Sequence, residues 1–386
     1  MLPPLTAEEK RHSRAVRELI RGEITARGGW MSFERYMELA LYAPGLGYYS
    51  AGSTKLGAAG DFVTAPEVSA LFARCLARQC AEVLGRTGGE ILELGAGTGR
   101  LAADLLTALA ADDRLPERYA ILEVSADLSA RQRERLAALP ADLARRVVWL
   151  ESLPATKLTG VVLANEVLDA LPVRRVRVEE ASVCELGVAL DAAGEFTERA
   201  TAADATLAEA YCGLTSGLAA ALPPGYTSEL CLRLEPWIAS LADCLGEGVL
   251  LAFDYGLPRR HYYHPQRTTG TLRCHFRHRA HEDPYLNVGV QDITAWVDFT
   301  RVAEAAGAAD LTVAGFATQT AFLLGCGLEE FVAGAADSRE RARLAGEARR
   351  LVMPEEMGEA FKVMALTRAA DAPLRGFALQ DLRHQL

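Results

Sequence analysis

The sequence predicts an α/β fold: a doubly wound, mostly parallel sheet covered by helices on both faces. Two observations predict it. Seven short, nearly continuous apolar runs alternate with helix-like stretches from Glu90 onward, the pattern of strands buried on both faces. The first of these runs ends in the glycine-rich turn Gly95-Ala96-Gly97-Thr98-Gly99 and passes straight into a helical stretch, the place where doubly wound folds bind nucleotide-like ligands.

The elements follow in order. Residues 7–43 read as helices, with Val16, Leu19 and Ile20, then Tyr36, Leu39 and Ala40, at helical spacing. Pro44, Gly45 and Gly47 end that pattern, and Tyr48 to Thr64 reads as a loop rich in small residues. Ala65-Pro66-Glu67 opens a helix running to about Leu84, with proline and an acid in the first turn. The seven strand candidates are Ile91–Leu94, Tyr119–Val124, Val147–Leu150, Val161–Ala164, Gly248–Phe253, Leu311–Val313 and Phe361–Leu366. Arg174 to Leu190 has the character of a β-hairpin, and the alanine-rich Ala192 to Ala221 that of a surface helix or loop. The predicted division is an N-terminal helical region with a covering loop over residues 1–85, then a core over 86–386. Insertions interrupt that core at about 174–230 and 257–290.

Bulk properties narrow the function. A chain of 386 residues buries a full core without staples. Its net charge of −10 argues against broad phosphate-driven binding of nucleic acid. The eight cysteines show no C-x-x-C spacing and read as reduced thiols of a cytoplasmic protein. No apolar run is long enough for a membrane span, and Met1 to Ile20 has the charge of neither a signal peptide nor an anchor. Between Arg259 and His281 lie six arginines and five histidines. Their spacing matches no common zinc pattern and the arginines repel a cation, so no metal is expected there; a substrate-facing lid or basic surface loop is.

The candidate chemistry sits at the carboxyl ends of the predicted strands. Gly95, Gly97 and Gly99 permit a tight turn and close approach of the backbone to a ligand, and the following helix presents its amides to a carboxylate. G-A-G-T-G-R-L lacks the full G-x-G-x-x-G of dinucleotide enzymes. Glu93 before the glycines and Glu123 at the end of the second strand supply acids, the latter suited to a ribose diol. This combination favours S-adenosylmethionine over a nicotinamide cofactor; a tight turn flanked by unrelated surface acids is the structural alternative. Asn165-Glu166-Val167-Leu168-Asp169 follows the fourth strand, where Asn165, Glu166 and Asp169 face the transferable group, with Asp254 after the fifth as a further candidate. Asp169 alternatively caps a turn before Pro172. A carboxylate such as Glu166 can orient a cationic nitrogen and take its proton. The candidate cofactor set from the core is Glu93, Gly95, Gly97, Glu123, Val124 and Asn165.

Several motifs in fixed order extend this reading: Gly45-Leu46-Gly47-Tyr48-Tyr49, Gly60-Asp61-Phe62-Val63-Thr64-Ala65-Pro66-Glu67-Val68-Ser69, the glycine turn, Asn165 to Pro172 and Asp254-Tyr255-Gly256. Gln291 to Phe299 and Pro354 to Gly358 complete them. Together they resemble the MidA-like methyltransferases over nearly the whole chain, and His275 to Pro284 is similar to the bacterial branch. The resemblance implies a class I (Rossmann-like) methyltransferase core with an N-terminal helical region and inserted substrate-side segments. It also implies S-adenosyl-L-methionine as cofactor and contact of Gly60, Asp61, Phe62 and Thr64 with it. The family includes a mitochondrial relative that modifies an arginine on a complex I subunit. The implied acceptor is therefore a protein, with arginine and a respiratory complex I subunit as candidates, and a homodimer is compatible with the resemblance. Two spellings depart from the family: alanine at 96 where proline is frequent, and Ala73-Arg74-Cys75 where F-G-E is common. A small-molecule methyltransferase of secondary metabolism and a cofactor-binding assembly or scaffold protein are the rival readings.

Overall fold

The computed structural model describes residues 2–51, 64–180, 182–370 and 374–386. The chain divides into two compact units. One comprises Val63–Leu168, Glu235–Gly256 and Val297–Leu386; the other comprises Met1–Phe62, Asp169–Leu234 and Leu257–Trp296.

The first unit holds the expected sheet. Its strands are β1 (Glu90–Leu94), β2 (Tyr119–Leu122), β3 (Val147–Leu150), β4 (Leu158–Asn165), β5 (Leu245–Leu257), β6 (Thr312–Thr318) and β7 (Phe361–Arg368). Their order is β3-β2-β1-β4-β5-β7-β6, with the two-residue strand Val297–Asp298 also pairing with β5. The five strands from β3 to β5 pair in parallel. β7 runs antiparallel to both β5 and β6. Every predicted strand is present, and the central ones extend beyond their apolar runs. In β5, Val249 to Phe253 are all buried, which is why no polar alternation marks them.

The helix expected from Ala65 to about Leu84 is two helices, α1 (Ala65–Val68) and α2 (Ala70–Thr87). Ser69 between them is extended, and its hydroxyl accepts from the Leu71 amide at 3.0 Å. The serine thus ends one helix and caps the next. α3 (Arg100–Ala111) follows the glycine turn, and α4 (Ala126–Ala137) follows β2. α2 and α3 bury Leu76, Cys80, Leu105 and Leu106 in the same core as Ile91, Val161 and Leu251 of the sheet.

The second unit is built on an antiparallel sheet. The hairpin predicted from Arg174 to Leu190 is Arg174–Val178 paired with Val183–Leu190. The next stretch corrects the expectation of a helix or loop alone: Phe196–Ala202 is a strand on the edge of this sheet, and only Ala205–Thr215 is helical. Phe196 is the one buried side chain of that strand, so apolar alternation was absent. Helices Ala7–Ala26 and Phe33–Tyr42 pack here, as the N-terminal periodicity predicts.

The arginine- and histidine-rich segment is more ordered than a surface loop. It forms the helix Arg259–Tyr262 and the strands Arg273–Phe276 and Arg279–His281, and buries Tyr262, Tyr263, Cys274 and Phe276. Arg267 stacks on Trp296 at 5.2 Å, Arg273 pairs with Glu282 at 3.2 Å and Arg277 with Glu9 at 2.9 Å. All eight cysteines are free thiols. Among the described residues no helix is long and apolar enough to cross a membrane.

Candidate active site

Register brings the candidate residues to one edge of the first unit's sheet. Leu94 lies level with Leu122 on β2 and with Ala164 on β4, and Asn165 lies level with Phe253 on β5. The residues just beyond this level therefore emerge along a single carboxyl edge, the one on β5 while that strand still runs on to Leu257. They are Gly95, Glu123, Glu166 and Asp254.

The glycine turn occupies the centre. Gly95, Gly97 and Gly99 have φ of 62°, 53° and 76°, a conformation glycine adopts freely and other residues at a cost. Gly99 caps α3 without a side-chain hydrogen bond, so the helix keeps its N-terminal amides for a ligand. Thr98 donates its hydroxyl proton to Glu67, which fastens α1 to the turn. Thr64 caps α1, its carbonyl accepting from Glu67 N and Val68 N at 2.9 and 3.1 Å. The remaining residues of the implied covering loop, Gly60, Asp61 and Phe62, lie outside the described residues.

Two acids flank the turn. Glu93 is 2% exposed on β1 and accepts from the Tyr119 hydroxyl at 2.7 Å. Burial pushes its carboxyl up to about 7; the Tyr119 hydrogen bond opposes that rise and the charge of Glu123 adds to it. Glu123 accepts from the Ser125 amide and from Gln132 Nε2, both at 2.9 Å. Val124, next to it, is 77% exposed, unusual for a valine beside a buried edge.

The tip of β4 is a strained turn. Glu166 has φ of 55°, and its amide donates to Phe253 O at 2.8 Å. Asn165 Nδ2 donates to Glu166 Oε1 at 3.4 Å, and Asn165 Oδ1 is buried with no hydrogen-bond partner among the described residues. Asp254 is fully buried and braces the turn from β5. Its Oδ2 accepts from Val167 N and Leu168 N at 3.2 and 2.8 Å, and its Oδ1 from Tyr255 N at 2.8 Å. Asp169 belongs to the other unit, where it is buried and its carbonyl accepts from Ala295 N at 3.0 Å.

The left-handed backbone at Glu166 has a measurable consequence. An L-residue there costs about 1–2 kcal/mol that glycine avoids. Glu166→Gly is therefore expected to be about 1 kcal/mol more stable than Glu166→Ala in urea unfolding, the reverse of the usual order. Equal stability, or a more stable alanine variant, would show that the turn is relaxed.

Sequence reasoning passed over four residues: Glu67, Tyr119, Gln132 and Trp149. Gln132 did leave a signal. It lies on α4 between Leu128 and Leu136, four residues from each, in the middle of an apolar stripe, and is 0% exposed. A glutamine buried there must satisfy its amide on both sides.

A sheet of this order, with a glycine turn and paired acids at its carboxyl edge, defines a class I methyltransferase. Comparison with known proteins gives the particular lineage. Residues 75–317 match the family model of S-adenosyl-L-methionine-dependent methyltransferases, and the chain belongs to that MidA-like family. A Burkholderia thailandensis protein solved with S-adenosyl-homocysteine bound is similar over the full length of both chains, at 42% identity and a TM-score of 0.94. The zebrafish (Danio rerio) mitochondrial protein arginine methyltransferase NDUFAF7 is 28% identical over 377 residues, covering 89% of this chain and 84% of its own. Its Drosophila melanogaster homologue is 29% identical over 366 residues, covering 86% and 80%. The chain is an S-adenosylmethionine-dependent methyltransferase. Its residues fit that cofactor: a side-chain-free cradle at three glycines, an exposed valine, and a buried amide oxygen at Asn165 that has no partner among the described residues.

Proposed function

We propose that this methyltransferase modifies a protein, at arginine. The observation that carries the reading is the Asn165–Glu166 turn, which sets a carboxylate on a strained backbone at the same sheet edge as the glycine cradle. The names of the relatives, protein arginine methyltransferases, support the choice of acceptor.

In this reading the amides at the start of α3 and the backbone of Gly95 and Gly97 hold the methionine carboxylate of the cofactor. Glu93 faces its amino group, Glu123 accepts from its ribose hydroxyls, and Val124 lies against the adenine. Thr64, which caps the helix that Glu67 fastens to the turn, lies on the cofactor's side of α1. The bound cofactor supplies an electrophilic methyl. Glu166, with Asn165 beside it, pairs with the guanidinium fork of the acceptor and aligns one nitrogen behind that methyl. As the N–C bond forms and the S–C bond breaks with its electron pair going to sulfur, Glu166 takes the proton the nitrogen sheds. Asp254 acts through the backbone, since its oxygens already receive three amides; it is a positioning residue. Asp169 leads into the acceptor-side segment. We place the enzyme in the cytoplasm, a compartment that suits eight free thiols. A respiratory complex I subunit is the first acceptor to try.

The test is transfer of a labelled methyl group from cofactor to lysate of a strain lacking the protein, followed by mass spectrometry. The wild type is expected to label a protein at arginine, and Glu166→Ala to lose at least a hundredfold of that labelling, since it removes both orientation and proton acceptance. Label confined to small molecules, or labelling that survives in Glu166→Ala, overturns the reading.

A further inference from the structure

We infer that Gln132 is a positioning residue for the cofactor, holding the Glu123 carboxylate and the glycine turn in their binding geometry at once. The inference rests on the roles proposed above for Glu123 and the turn.

Gln132 bonds to three separate segments of the first unit. Its Nε2 donates to Gly97 O at 2.9 Å and to Glu123 Oε2 at 2.9 Å, and its Oε1 accepts from Trp149 Nε1 at 3.0 Å. These bonds reach the turn after β1, the residue after β2 and the middle of β3. They also fix which end of the amide is which. Gly97 O and the carboxylate can only accept and the indole can only donate, so the NH2 must face the first two and the oxygen the third.

Each bond acts on something the cofactor needs. The Gly97 bond fixes one peptide of the turn at a residue that, lacking a Cβ, is conformationally free and here has a positive φ. The turn and α4 are also packed closely, since a Cβ at Gly99 would come 3.3 Å from both Cα and Cγ of Gln132. At Glu123, the Ser125 amide holds Oε1 while Gln132 holds Oε2. A carboxylate fixed at both oxygens has a defined plane, so the directions from which it accepts are set before a diol arrives. The Trp149 bond keeps the amide from rotating, and Arg133 covers the outer face of that indole at 4.1 Å. With all three amide bonds made from a buried stripe, the arrangement is made at folding and not at binding.

Binding of S-adenosyl-homocysteine by calorimetry tests this. Gln132→Met keeps length and apolar packing but removes all three bonds. Gln132→Glu keeps an acceptor for Trp149 while removing the donors to Gly97 and Glu123. Both variants are expected to bind roughly tenfold or more weakly than wild type, the scale of a hydrogen bond to a charged group. In a Glu123→Gln background the loss from Gln132→Met should shrink to about twofold, because the two residues act as one unit. The loss should shrink likewise for an analogue lacking the ribose 2′-hydroxyl. A merely structural role would leave both comparisons unchanged. Wild-type affinity in Gln132→Met, or losses that multiply fully in the double variant, overturn the inference. If Gln132→Met does not fold, Gln132→Glu decides by the same two comparisons. Failure of the wild type to distinguish the ribose analogue would instead undo the proposed role of Glu123.

Discussion

Gly95→Arg is expected to weaken binding of S-adenosyl-homocysteine at least a hundredfold while the protein stays folded. Gly95 has φ of 62°, and among the described residues a Cβ built on it meets only the Val167 Cγ2 methyl, at the ordinary contact distance of 3.7 Å. The fold therefore has room for a side chain, and the direct cost to folding is the left-handed backbone, about 1–2 kcal/mol. The ligand does not have that room. In the binding mode proposed above the cofactor approaches the backbone of the turn closely, and an arginine occupies that cradle with a chain several atoms long. A hundredfold loss corresponds to about 2.7 kcal/mol, modest for a steric block combined with a displaced turn. Calorimetry measures the affinity, and a urea melt run alongside should show a fall of no more than about 2 kcal/mol. Unchanged affinity would remove the glycine turn from the cofactor site.

The parts of this molecule visible in its sequence are those where burial is uniform. β1 to β5 run in parallel with apolar residues on both faces, so Ile91, Val161 and Leu251 stand out without any periodicity. The glycine turn stands out because three glycines in five residues have no cheap structural use. Where one side of an element faces water and the other buries a single residue, the signal fails, as in the strand Phe196–Ala202. The Ser69 break was hidden because serine is compatible with both a helix interior and a cap, and only its extended backbone distinguishes the two.

The site divides in the same way. Glu93 and Glu123 could be picked out as acids at strand ends, but what controls them could not. Tyr119 opens the strand beside Glu93 and reads as one more apolar residue, yet its hydroxyl holds that carboxylate. Gln132 is nine residues beyond Glu123, and only the turn of α4 brings them together. Glu166 was visible as an acid after β4, while its left-handed backbone sits beside two amides, Val167 N and Leu168 N, captured by Asp254, 88 positions away in the chain from Glu166. Roles that depend on one side chain holding another are set by tertiary register, which no local pattern encodes.

Glu93 leads to the second large effect, a pH-dependent gain of stability on replacing an acid. Its carboxyl is pushed from 4.5 up to about 7, chiefly because it is buried. Between pH 4.5 and 7 the folded protein keeps a proton at Glu93 that the unfolded chain has released. Stability conferred by this residue therefore falls as pH rises through that window, and above it the full cost stands, about 3 kcal/mol from the size of the shift. Glutamine has the same length, carries no charge and accepts the Tyr119 hydrogen bond through its carbonyl oxygen. Without cofactor, Glu93→Gln is expected to melt several degrees above the wild type at pH 8 and level with it at pH 5. Affinity should move the other way. If the ionised carboxylate faces the cofactor's ammonium, the wild type gains affinity for S-adenosyl-homocysteine as pH rises from 6 to 8, while Glu93→Gln binds weakly and without that trend. Melting curves and calorimetry at the three pH values separate the two halves of this argument. Equal melting temperatures at pH 8 would show that burial does not penalise the charge. A glutamine variant that binds as tightly as the wild type at pH 8 would show that the acid is held there for packing and not for the ligand. The two outcomes together expected here, a more stable and less competent protein, describe an acid whose burial costs stability in the free enzyme and is offset when a cation arrives.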